Sequence, residues 1–313
     1  MSKPKEMNKN SYYTTYATRI VLNTASHPIE YAKVLIQIGF EPIAPKPCTT
    51  FLGKPALKLP NIFDYIRHIK KVDGFVGLYR GLVPKLCGNI VCAVASEKIL
   101  KNYDGDCQNE HEDNEQTQVV DSKQKFISDL KREVISRTGS IIISHPFHVI
   151  TIRMMAQFVG NETKYNGLFG SIHEVYKQNG VMGFFSGLVP RVIGDLIFVL
   201  LASTLTYALN SYVFEEAELQ VYTSATMSFL ASAITYPFQV VSNCMTVSNS
   251  GLAAGSMPFM PFYTSWADCW FDLSNRGQLK RGSSLLIRYY TGPQVIISGR
   301  PVPLPKGDSI NLS

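Results

Sequence analysis

The sequence predicts an all-α membrane protein that is built from three pseudo-repeats and has five membrane spans instead of six. One observation is a motif that occurs twice, an apolar helix with a central proline followed later by a Gly-Leu-Val-Pro-basic block. A second is the composition, because 45% hydrophobic and only 17% charged residues favour a membrane protein over two soluble domains. A third is the lack of a sixth long apolar stretch near the C-terminus.

The two copies of the motif align without a gap over residues 74–84 and 180–190. The preceding helices carry the pairs His27-Pro28 and His145-Pro146, and a third start at Pro237 is not followed by a Gly-Leu-Val-Pro block. The chain is therefore divided, within a single domain, into repeat one (15–103), an acidic linker (104–121), repeat two (125–214), a degenerate repeat three (220–290) and a tail (291–313).

Five stretches are predicted to span the membrane. The clearest is 221–248, which carries no charged residue and exceeds the ~20 helical residues that a hydrocarbon core requires. Residues 196–214 form a second uncharged stretch. The other three have lower hydropathy and are supported by their repeat partners: 20–38, 82–100 and 134–159.

The first span of each repeat carries a proline near its middle, which frees a backbone carbonyl and bends the helix. A membrane tolerates such a kink where neighbouring helices satisfy the freed groups, so we expect these helices to line a polar cavity. We assign structural kinks to Pro28, Pro146 and Pro237.

Repeat three ends differently from the other two. Residues 263–273 predict a short amphipathic helix whose two tryptophans suit a membrane interface. The apolar run between Arg281 and Arg288 is too short to cross a bilayer. Without a sixth helix, we expect a polar interior that opens sideways to lipid between the first and fifth spans. The acidic linker, with seven acidic residues and no lysine or arginine, is expected to be a solvated spacer.

Charge and cysteine patterns argue against several function classes. The net charge of +6 is scattered, without the basic and aromatic blocks of a nucleic-acid face. The six cysteines form no CxxC pair or zinc-type spacing, so we expect reduced thiols. His145 and His148 stand three residues apart, but without a matching carboxylate or thiol they are interpreted as kink histidines and not as metal ligands.

No catalytic motif is apparent, since nucleophile elbow, phosphate loop and paired carboxylates are all missing from the sequence. We expect a protein that is not an enzyme and needs no cofactor. The first ten residues are polar and predict neither a secretory signal nor a cleaved matrix presequence.

The motif Pro28-x-Glu30-x-x-Lys33 resembles the signature of the mitochondrial carrier family, and the Gly-Leu-Val-Pro blocks resemble the starts of that family's even-numbered spans. The resemblance implies a mitochondrial-carrier-like bundle. It also implies a gate of three ion pairs, each with an acid two residues after the proline and a base five residues after it.

Only repeat one keeps this pair. Repeat two has His148 and Thr151 at these positions, and repeat three has Gln239 and Ser242. One pair out of three cannot form an interlocking ring, so alternating-access transport is not expected.

Within the family, the chain resembles a divergent subgroup of the outer mitochondrial membrane. That resemblance implies an insertase for α-helical, especially tail-anchored, membrane proteins, with lipid scrambling and BH3-type apoptotic partners also associated with the subgroup. Membrane lipids and client proteins are the expected partners. A phospholipid scramblase with the same groove and a solute carrier of the inner membrane are the alternatives.

Polar residues at spanning depth are the candidate groove residues, because intramembrane ionisable groups are costly and usually functional. Lys33 has lost most of its gate partners, which leaves a cation for a substrate or a lipid phosphate. The alternative is that such groups snorkel or pair structurally, as Asp195 could with Arg191 four residues earlier. The predicted groove residues are Lys33, Arg153, Asp195, Tyr236 and Asn243.

Overall fold

The computed structural model describes residues 9–50, 53–111, 122–212, 217–290, 292, 294–297 and 300–303. Most of them are helical, in α1 Lys9–Gln37, α2 Ile62–Gly77, α3 Leu82–His111, α4 Ser122–Ala156, α5 Gly167–Asn179, α6 Leu188–Tyr212, α7 Ala217–Val247 and α8 Trp266–Asn275. Short strands complete the described chain: β1 Lys46–Thr49, β2 Pro55–Leu59, β3 Arg288–Tyr289, β4 Gln294–Ile297 and β5 Arg300–Pro303.

The helices follow the three repeats. Repeats one and two each contain a long helix with an internal proline, a short helix and a second long helix, namely α1, α2, α3 and α4, α5, α6. Repeat three contains α7 and α8, after which the described residues from 276 to 303 form strands and turns but no helix. Most of the predicted linker, residues 112–121, lies outside the described residues, and its first part continues α3.

By length and apolar composition alone, one helical segment of the described chain, Val181–Ser211, would qualify as a membrane span. The sequence pattern had indicated α7 as the clearest span. That helix carries no charge between 221 and 248, but many serine and threonine residues lower its hydropathy.

The long helices pack in the order α1, α3, α4, α6, α7. Their shared core lies near the C-terminal ends of α1, α4 and α7, where Tyr31, Leu35, Met155 and Val240 are fully buried. The short helices α2, α5 and α8 contribute further side chains to the same cluster. The core therefore sits at one end of the bundle.

The all-α prediction omitted two small antiparallel sheets, one of β1, β2 and β3 and one of β4 and β5. Strands β1 and β2 form a hairpin between α1 and α2, and β3 from the far end of the chain pairs with β2. Arg288 anchors β3 through Glu41 and through the backbone oxygen of Pro60. The pairing joins residues more than two hundred positions apart, so a local sequence pattern does not indicate it.

The glycine before α6 offers a test of the packing between repeats. Gly187 has φ +77°, and an added Cβ would collide with the backbone oxygen of Ser242 and lie 2.7 Å from Thr246 Oγ1. Gly167 has φ +67° but no atom within 4 Å of an added Cβ. We expect Gly187→Ala to lower the free energy of unfolding by about 3 kcal/mol or more, and Gly167→Ala by only about 1 kcal/mol.

Denaturation of both variants in detergent, followed by tryptophan fluorescence, measures the difference. Equal losses would show that backbone strain alone matters and that α6 does not depend on close contact with α7.

Candidate functional site

Repeats one and two share one contact between their two long helices. In repeat one, Nε2 of His27 lies 3.0 Å from the backbone oxygen of Arg80. In repeat two, Nε2 of His145 lies 3.0 Å from the backbone oxygen of Ser186. Because a carbonyl oxygen only accepts hydrogen bonds, each ring carries a proton on Nε2. The histidine before the proline thus fixes the point at which the second long helix begins.

Repeat three keeps this contact in altered form, which the sequence pattern did not indicate. Tyr236 occupies the histidine position, and its hydroxyl donates to the backbone oxygen of Arg281 at 3.1 Å. Gly282 follows with φ +79°, close to +84° at Gly81 and +77° at Gly187. The Arg-Gly pair is therefore the remnant of a third Gly-Leu-Val-Pro block, without the Leu-Val-Pro that starts α3 and α6.

After Gly282 the chain crosses the C-terminal end of α1 and continues to β3. Arg281 holds it there, since its Nε donates to the backbone oxygen of Gln37 and its Nη2 lies 3.0 Å from Sγ of Cys244. We call residues 278–290 the closing strap. It ties the C-terminal ends of α1 and α7 together where repeats one and two would continue into a long helix.

A group of polar side chains joins α1, α4 and α7 beside the closing strap. Gln37 Nε2 donates to the Tyr236 hydroxyl at 2.9 Å, and Gln37 Oε1 accepts from Asn243 Nδ2 at 2.7 Å. Lys33 Nζ lies 5.1 Å from the centroid of the Tyr236 ring, a cation–π contact. The His148 side chain of α4 lies close to that of Asn243. We call these five residues the polar seam.

The polar seam unites three of the five predicted groove residues, namely Lys33, Tyr236 and Asn243. Sequence reasoning missed Gln37 and His148, although His148 lies at a former gate position. Asn243 Oδ1 is buried and has no hydrogen-bond partner among the described residues. The seam therefore retains one acceptor and one cation that no anion neutralises.

The carrier-type gate does not form in the described part of the chain. Glu30 pairs with Lys85 of α3, and Lys33 contacts the tyrosine ring instead of an acid. Thr151 Oγ1 donates to the backbone oxygen of Phe147 at 2.8 Å, and Ser242 Oγ donates to that of Gly187 at 2.8 Å. These hydroxyls hold the backbone and leave no ion pair for a ring.

Arg153 lies outside the polar seam, in a hydrogen-bonded cluster of its own. Its side chain is fully buried, and it donates to the backbone oxygen of Thr246 at 3.1 Å and to Asn179 Oδ1 at 3.0 Å. The Tyr165 hydroxyl, whose pKa is raised by burial, lies 3.4 Å from Nη1. These bonds offset the cost of burying the charge, and they clamp α4 to α7 and α5.

Asp195 is likewise separate from the polar seam. Its Oδ2 lies 3.2 Å from Nε of Arg137, which ties α6 to α4. Arg191, the partner suggested by helical spacing, instead places Nη1 3.3 Å from Nδ1 of His145. Helical spacing alone therefore selected the wrong cation for Asp195.

Two thiols adjoin the closing strap. Cys244 and Cys269 are buried and form no disulfide, but their side chains are hydrogen-bonded to each other. This bond, together with burial, raises the pKa of the Cys269 thiol. Among the residues that the structure covers, no group of three or more His, Cys, Asp or Glu side chains could hold a metal ion.

Comparison with known proteins assigns the fold to a family. The family model described as mitochondrial carrier protein matches residues 10–99 and 122–217. The chain belongs to the mitochondrial carrier family. Repeat three, residues 220–290, lies outside the matched segments. It is also the repeat in which the structure departs from the other two. Membership places the chain in a mitochondrial membrane.

Curated relatives refine the comparison. The chain is 42% identical to mitochondrial carrier homolog 2 of Bos taurus over 275 residues, which cover 85% of this chain and 90% of the relative. It is 36% identical to mitochondrial carrier homolog 1 of Mus musculus over 285 residues, or 84% and 73% of the two chains. The mitochondrial tricarboxylate transport protein of Mus musculus is 24% identical over 169 residues, or 53% and 47%.

The Tyr236 hydroxyl offers a test of the link between the polar seam and the closing strap. In Tyr236→Phe, Gln37 Nε2 and the backbone oxygen of Arg281 lose their partner, which costs about 1–3 kcal/mol. We expect that loss in the free energy of unfolding, and faster maleimide labelling of Cys244 as the strap loosens. Tyr222→Phe, at a side chain that is 73% exposed, is the control and should change neither quantity. Unchanged labelling in both variants would show that the hydroxyl does not hold the strap.

Proposed function

We propose that the chain is an insertase of the outer mitochondrial membrane, which moves α-helical and especially tail-anchored proteins into the bilayer through a laterally open polar groove. The observation that carries the proposal is the polar seam between α1 and α7, at the point where repeat three lacks a second long helix. Family membership and similarity to mitochondrial carrier homolog 2 support it.

The proposed groove lies between the N-terminal halves of α1 and α7. In this arrangement α1, α3, α4, α6 and α7 are the five spans, and no helix of the described residues stands between the first and the last of them. Large apolar side chains on both flanks are exposed, for example Val21 at 65% and Phe229 at 72%. Exposed apolar surface of this kind fits contact with lipid or with a client helix.

The polar seam forms the inner end of this groove. A charge at the centre of a bilayer costs about 3 kcal/mol or more, and this cost opposes the passage of a client's polar tail. The Lys33 ammonium makes no ion pair in the described residues, and Asn243 Oδ1 is an open acceptor. A cation–π contact at a partly exposed site is worth about 1 kcal/mol, so Lys33 can exchange it for a client carboxylate.

A solute carrier fits the same geometry poorly. Alternating access needs a cavity that closes on every side, whereas the hydroxyls of Thr151 and Ser242 are bonded to backbone oxygens. The Glu30 carboxylate is held by Lys85 and does not join a ring of gate pairs. A groove without a gate lowers the energy barrier for a polar segment but does not transport a solute by alternating access.

Charge reversal at the polar seam tests the mechanism. Lys33→Glu puts a carboxylate where the ammonium stood, so clients with basic C-terminal tails should gain and clients with acidic tails should lose. We expect the ratio of their insertion to shift by about 1–2 kcal/mol, or roughly five- to thirtyfold. Two clients with the same transmembrane segment and opposite tails, inserted into mitochondria and scored by protease protection, give this ratio.

Lys177→Glu, at an exposed lysine of α5, is the matched control and should leave the ratio unchanged. Insertion is normalised to the abundance of each variant. An unchanged ratio in Lys33→Glu would contradict the groove mechanism. A change in lipid flip-flop in proteoliposomes, with no change in client insertion, would replace the insertase with a phospholipid scramblase.

A further inference from the structure

A second polar cavity lies between the β1–β2 hairpin and one face of α2, apart from the polar seam. Its volume is about 450 Å³. The charged and ionisable side chains in its wall are Lys46, Lys58, Asp64, Arg67, His68 and Lys71. We call it the basic cleft. It contains four cations and one carboxylate, a strong imbalance for so small a surface.

The hairpin supplies two of the cations at directly opposed positions. Lys46 of β1 and Lys58 of β2 are register partners in the antiparallel pair, so their side chains leave the same face of the hairpin. Like charges directly opposite each other destabilise a sheet. Leu57, on the other face, is buried, so the two lysines cannot turn inward and both face the cleft.

The wall opposite the hairpin is a single stripe of α2. Asp64, Arg67, His68 and Lys71 are spaced three, four and seven residues apart, which places them on one side of the helix. Helix α2 also begins at the cleft, with Asn61 as its N-cap. The positive end of the helix dipole therefore adds to the field of the side chains.

Most of this charge is not neutralised within the described residues. Asp64 lies 3.4 Å from Arg67, whose side chain is 81% exposed, so this pair is weak. Lys46, Lys58 and Lys71 make no ion pair there. The nearby carboxylate of Glu41 is held by Arg288. Three cations therefore converge on one cavity without a partner of their own.

We propose that the basic cleft binds an anion that carries two or more phosphate groups. Lysine and arginine are the usual protein partners of phosphate oxygens, and a single carboxylate would leave most of the four cations unmatched. The volume falls in the range of about 300–1,000 Å³ that is typical of small-molecule sites. The phosphates come either from a soluble compound or from the headgroup of a phosphorylated lipid. The site does not depend on the insertase function.

Titration calorimetry with pyrophosphate tests the site, with the full chain held in phosphatidylcholine nanodiscs. The double variant Lys58→Gln/Lys71→Gln removes one cation from each wall and should weaken the affinity about tenfold or more. The double variant Lys54→Gln/Lys70→Gln removes one lysine from the hairpin segment and one from α2 outside the cleft. This control should weaken the affinity about twofold or less, because distant surface charges are screened.

Nanodiscs that contain a phosphoinositide distinguish the two sources. If the lipid abolishes pyrophosphate binding both in the parent chain and in the Lys54→Gln/Lys70→Gln control, the ligand is a lipid headgroup. If pyrophosphate still binds unchanged, the ligand is soluble. Equal losses in both double variants, or binding of neither pyrophosphate nor phosphoinositide by the parent chain, would overturn the proposal.

Discussion

The bundle depends on one hydrogen bond that recurs in each repeat, from the residue before the proline to the carbonyl before a glycine with positive φ. His27 and His145 donate it in the first two repeats, and Tyr236 donates it in the third. A tyrosine hydroxyl donates once and also accepts. Tyr236 therefore keeps the contact to the remnant block and also receives Gln37, which extends the contact into the polar seam. One change of residue type both holds the altered repeat in place and builds the site.

The polar seam is a compromise between stability and reactivity. Buried polar groups must be hydrogen-bonded, and Gln37 satisfies this requirement for its neighbours on α7. Within the seam, Lys33 makes no ion pair and Asn243 Oδ1 accepts no hydrogen bond from the described residues. Such incomplete satisfaction lowers stability, and under the proposed function it leaves a cation and an acceptor for an incoming polar segment. Arg153 shows the contrast, because a nearly complete set of partners makes it structural.

The sequence was sufficient for features that depend on local pattern and repetition. The proline-bearing helices and the amphipathic helix near Trp266 both follow from periodicity and length. Features that depend on contacts between residues far apart in the sequence could not be predicted. Arg153 was predicted to line the groove because it is polar at spanning depth. The direction of its side chain, however, is set by hydrogen bonds to Asn179 and Thr246 on other helices. The remnant at Arg281 matches the other blocks over too few residues to be recognised without its contact to Tyr236.

The closing strap makes the two ends of the proposed groove unequal. At the C-terminal ends of α1 and α7, Arg281 and the pairing of β3 with β2 hold the helices together. At their N-terminal ends, large apolar side chains such as Val21 and Phe229 are exposed. A polar segment that enters from the open end therefore meets Lys33 and then the strap, so its remaining exit is sideways into lipid. Under the proposed function, that geometry favours insertion into the bilayer over passage through it.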